Sequence, residues 1–88
     1  MTYVSKLDLG RMVTAIEAEQ NPLVKSSYLR RYVDMLDSSN GTLKESKECY
    51  AYASKVYALV ISQLNKDDRE LIKVFKKRAD YCKEKAGL

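Results

Sequence analysis

Four stretches of the chain carry apolar residues at helical spacing, and short polar runs separate them. In the first, Leu9, Met12, Val13 and Ile16 share one face. Ser5 can accept an unpaired backbone N–H, with Asp8 three residues on, so this helix is expected to begin near Ser5. Gly10 lies inside it and costs about 1 kcal/mol relative to Ala.

Asn21-Pro22 opens the second helix, because Asn caps well and Pro suits the first position, where its missing N–H is no loss. Val24, Tyr28, Tyr32, Met35 and Leu36 form the expected inward stripe, with Leu29 on its flank. Arg30, Asp34 and Asp37 line the opposite side. Ser38-Ser39-Asn40-Gly41 ends the helix, since Asn and Gly tolerate the left-handed backbone of a helix stop.

Thr42 and Glu45 have the spacing of a capping box, and the helix they open should run to about Asn65. Its main apolar face comprises Cys49, Ala53, Val56, Tyr57, Val60 and Leu64, widened by Tyr50 and Ile61. Tyr52 and Leu59 fall on nearly the opposite side, so this helix needs more than one neighbour and is expected at the centre. Asp67-Asp68-Arg69-Glu70 is a second box-like start. The stripe Leu71, Ile72, Phe75, Ala79, Cys82 and Ala86 follows it, and Gly87 provides the stop.

About two residues then join helices three and four, which should pack antiparallel. Reflection about the middle of that link sets Val56 opposite Phe75, Val60 opposite Leu71 and Cys49 opposite Cys82. Two facing cysteines can form a redox-sensitive staple; two small buried thiols in a reducing compartment are the plainer account and the expected one. The pattern as a whole predicts one all-α domain over residues 1–88. Its last two helices form a long antiparallel hairpin and its first two pack across that hairpin.

Composition narrows the chemistry. There is no His, so imidazole catalysis is excluded, and two Cys cannot build a four-thiolate zinc site. Three Gly leave no phosphate-cradling loop, so neither a metal nor a cofactor is expected. The carboxylate pairs Glu17/Glu19, Glu45/Glu48 and Asp67/Asp68 read as solvated faces or helix-start charges, and no enzyme is expected. No apolar run approaches the roughly 18 residues of a membrane span and no leader-like start is present, so a cytoplasmic chain without a membrane partner is expected.

Charge is uneven. Residues 1–42 hold five basic and five acidic side chains, while residues 43–88 hold eleven and seven and so carry all of the +4. Arg69, Lys73, Lys76, Lys77 and Lys83 should cluster on the wet side of the last helix. Acids at a helix start and cations at its end suit the helix dipole, but that account leaves Lys76-Lys77-Arg78 in mid-helix unexplained. Arg78 is expected to lay its stem on the core with its head toward an acid such as Glu48; a place at a subunit interface is the alternative.

Seven of the eight aromatic residues are Tyr, which suits half-wet core edges and interfaces. Arg30, Arg31, Tyr52 and Leu59 are therefore the candidate protein-binding surface. A domain of this size buries only roughly 60–65% of its unfolded surface, so a homodimer that covers the second face of helix three is also expected. The leading functional expectation is a non-enzymatic regulator or inhibitor that occupies a protein partner, by analogy with phage counter-defence factors, antitoxins and immunity proteins. A small RNA- or DNA-binding protein that uses Arg69, Lys73, Lys76, Lys77 and Lys83 is the first alternative. A structural assembly subunit is the second.

Overall fold

Asn21 acts as its spacing implies. Its side-chain Oδ1 accepts the N–H groups of Leu23 at 2.9 Å and Val24 at 3.4 Å, while Pro22 occupies the first turn. Glu19 in turn accepts the Asn21 N–H at 3.1 Å, which fixes the short link between the first two helices. The computed structural model describes residues 6–39 and 44–88. Ser5, Asn40, Gly41 and Thr42, where two caps and a helix stop are expected, lie outside the described residues.

Four helices account for the described chain: α1 (Lys6–Ala18), α2 (Pro22–Ser38), α3 (Ser46–Gln63) and α4 (Arg69–Ala86). The domain is all-α, and no described helix is long and apolar enough to cross a membrane. Each helix packs mainly on its predecessor, α1 with α2, α2 with α3 and α3 with α4. The two-sided α3 packs against both α2 and α4 within its own chain.

The α3–α4 turn corrects the sequence reading. Residues 64–68 form it, five rather than about two. Asn65 organises it: its side chain accepts the Asp67 N–H at 3.0 Å and its carbonyl accepts the Asp68 N–H at 3.0 Å. Asp68 stands at the start of α4 with no side-chain cap bond, so the acidic box does not form. Glu45 likewise caps nothing at the start of α3, and its carboxylate binds Lys6 Nζ at 3.0 Å instead. Gly87 does close α4, with a left-handed φ of 78°.

Tyr57, Ile16, Leu29, Leu36, Val60 and Cys82 are the largest fully buried side chains. In α2 the inward stripe is rotated from the expected one. Leu29 is at the centre with no exposure and Val33 joins it, whereas Val24 is 37% exposed. Five residues along a helix turn about 140°, so Val24 and Leu29 cannot both face the core. Lys25 is buried along its stem and leaves its ammonium to water.

Reflection gives the right level along the hairpin but not the direction each side chain takes. Tyr50 does meet Tyr81, with ring centroids 6.4 Å apart, but Phe75 meets the Tyr57 ring. Cys49 turns toward Tyr32 of α2, while Cys82 neighbours Tyr50, Tyr57 and Asp37. Both thiols are free.

Candidate functional site

The stripe that buries Leu71, Phe75, Ala79 and Cys82 forces the remaining positions of α4 outward. Arg69, Lys73, Lys76 and Lys77 therefore stand exposed within two to three turns of one another. With Ile72 and Asp80 they line a shallow hollow of about 380 Å³. Lys83 lies beyond Asp80 and shares a second hollow with Lys76, against Ala58 and Ile61 of α3. None of these five cations has an ion-pair partner among the described residues, where the ion pair is Lys6–Glu45. Glu70 in the first turn and Lys83 and Lys85 in the last turn answer the helix dipole. Lys73, Lys76 and Lys77 lie between those ends of the helix and form no ion pair among the described residues.

The other candidate residues do not assemble. Tyr52 is half-buried, with its ring edge-on to Tyr32 at 5.9 Å and its hydroxyl donating to Glu17 at 3.3 Å. It is packing at the α1–α2–α3 junction, not an open second face. Leu59 is 47% exposed on α3. Arg30 turns toward α4, and Arg31, one position on, is about 100° further round α2.

Arg30 instead lines a cleft of about 280 Å³ between α2 and α4. Asp34 and Asp37 share its α2 wall; Lys77, Arg78 and Tyr81 form its α4 wall. Tyr57 and Cys82 lie at its floor. Arg78 does not reach for Glu48: its guanidinium sits 5.9 Å over the Phe75 ring. Burial raises the Tyr57 hydroxyl, and the nearby Arg78 and Arg30 charges pull it partly back. The sequence grouped Arg30, Asp34 and Asp37 on one side of α2. The signal missed was that this polar row runs alongside the buried stripe, within reach of a neighbouring helix.

One carboxylate oxygen ties three helices together. Asp37 Oδ1 accepts the hydroxyl of Tyr81 at 2.8 Å and that of Tyr50 at 2.5 Å, joining the end of α2 to α3 and α4. Lys85 lies 5.7 Å over the Tyr81 ring. Asp37→Ala is expected to lower stability by about 1–3 kcal/mol, because the Tyr50 hydroxyl loses a charged acceptor in a buried setting. Tyr81→Phe, at an exposed position, should cost well under half as much. Chemical denaturation of the two variants measures both.

The protonation states favour a quiet interior at neutral pH. The Asp37 hydrogen bond pushes the Tyr81 phenol up to about 12, and burial with the Glu17 charge pushes Tyr52 up to about 12. Tyr50 and Tyr32 are raised by burial, and burial lifts the Cys82 thiol to about 11. A raised pKa in the folded state means the native chain keeps protons that the unfolded chain has released. Stability from these groups is full below their ordinary values, about 9 for the thiol and 10 for the phenols. It is lost as pH rises through the folded values. The melting temperature should thus fall steeply from about pH 9 to 12. Melts followed by circular dichroism across that range, with tyrosinate absorbance in parallel, test it.

No group of three or more His, Cys, Asp or Glu side chains among the described residues is placed to hold a metal. No protein-family model, no curated protein and no solved structure matches the chain.

Proposed function

We propose that this chain is a non-catalytic binding module that holds nucleic acid against the outer face of α4. One observation carries the reading: Arg69, Lys73, Lys76 and Lys77 gather on a single exposed face without an ion partner among the described residues. From Arg69 to Lys77 the helix rises roughly 12 Å, the axial rise of three to four phosphates on one strand. The chemistry of the face suits phosphate better than a protein surface. Protein interfaces draw their energy from aromatic and Arg anchors seated in pockets, whereas this shallow hollow has no aromatic residue and three of its six lining residues are lysine. Lysine ammoniums bind phosphates as point charges and need no pocket.

Four phosphate contacts imply that log K falls with log salt at a slope of about −3. A fluorescence-anisotropy titration against random-sequence RNA and duplex DNA is the direct test. Micromolar binding at low salt with that slope supports the reading. No binding at low salt removes it.

A further inference from the structure

The α4 hollow and the α2–α4 cleft are not separate places, because Lys77 lines both. A strand laid along Arg69, Lys73 and Lys77 therefore passes the mouth of the cleft. We infer that the cleft receives one unstacked base of a single-stranded nucleic acid, preferably a base that carries an exocyclic amino group. The inference rests on the nucleic-acid reading of α4 and specifies which form of nucleic acid that face takes.

Three features of the cleft support it. Its volume of about 280 Å³ sits at the lower end of small-molecule sites, which suits one planar ring. Tyr81 is 39% exposed at its edge, its hydroxyl is anchored on Asp37 and Lys85 covers one face of the ring, so stacking would use the other face. The carboxylates are the third feature. Asp37 is engaged by the Tyr50 and Tyr81 hydroxyls, but Asp34 is out of place beside a polyanion unless something other than phosphate meets it. A carboxylate accepts from the amino group of cytosine, and uracil and thymine offer none at that position. Arg30, Lys77 and Arg78 outnumber the two acids by three to two, so the cleft does not repel the strand that feeds it. A duplex keeps its bases stacked and has no ring to offer.

The test uses the intact chain and anisotropy with labelled oligo(rC), oligo(rU) and an RNA hairpin of matched charge. Oligo(rC) stacks more than oligo(rU), so unstacking works against it and a preference for oligo(rC) reports the amino edge. Oligo(rC) is expected to bind roughly 10-fold tighter than oligo(rU), and both single strands tighter than the hairpin. Asp34→Ala should bring the rC/rU ratio to about one without weakening oligo(rU), since the change removes a negative charge. Tyr81→Ala should weaken both single strands about 10-fold, while Tyr81→Phe, which keeps the ring, retains most of the affinity. Circular dichroism confirms that each variant is folded. Equal affinity for all three probes, with the salt slope intact, overturns the base-in-cleft inference and leaves the α4 reading standing. A ratio unmoved by Asp34→Ala also overturns it. No binding to any probe at low salt overturns both.

Discussion

Leu29→Ala is expected to lower the free energy of unfolding by about 3 kcal/mol, the middle of the range for a fully buried Leu. Leu29 has no exposure and belongs to one cluster with Ile16, Leu36, Tyr57 and Val60. Removing three carbons there loses their transfer energy and leaves a cavity in a bundle held on all sides by helix backbone. At roughly 0.05–0.15 kcal/mol per residue, a chain of 88 residues has only about 4–13 kcal/mol in total. The variant should therefore melt some 12–24 °C lower, at about 4–8 °C per kcal/mol. Val24→Ala is the informative control. Its site is exposed, so its cost should stay near 0.5 kcal/mol. A urea series on the two variants decides between the rotated stripe and the one read from sequence, which ranks them the other way.

Reversing Lys73, Lys76 and Lys77 together to Glu should abolish nucleic-acid binding while leaving the fold intact. Each phosphate contact is worth about 0.8 log units at 0.1 M salt, so three lost contacts cost roughly 250-fold before any repulsion is counted. The three changes take the net charge from +4 to 4 − 6 = −2, and that alone weakens attraction to any polyanion. Lys44, Lys47 and Lys55, all exposed and none of them lining the α4 hollow, allow a control with the same charge change. If the face and not the total charge binds, the control triple should lose less than about 10-fold. Equal losses in the two triples would show that only net charge matters. Melts of the α4 triple should shift little, because its side chains are exposed and make no ion pair among the described residues.

What could be read from the sequence was whatever a few consecutive residues decide by themselves. Asn21-Pro22 caps α2 because amide and ring act on backbone groups two or three positions away. Gly87 closes α4 because it alone there adopts positive φ without strain. The basic face was legible for the same reason, since one helix carries all of it. The phase of α2 was not. Val24, Tyr28, Leu29, Tyr32, Val33, Met35 and Leu36 span about half its circumference, and only the positions of α1 and α3 select which of them go inward. Asp67 and Asp68 look like a cap in isolation, but Asn65 starts a turn first and takes the Asp67 N–H that Glu70 would accept in a capping box. The cleft was out of reach, because it exists only once Asp37 of α2 and Tyr81 of α4 meet across α3.

The order in which the helices lean on one another has a kinetic side. Because each pairs chiefly with the one before it, the helix-to-helix contacts join segments that are consecutive in the chain. Such low contact order belongs to helical proteins that fold in microseconds to milliseconds, and stopped-flow or temperature-jump relaxation should place this chain among them. A nascent chain could accordingly add each helix to a surface already waiting for it.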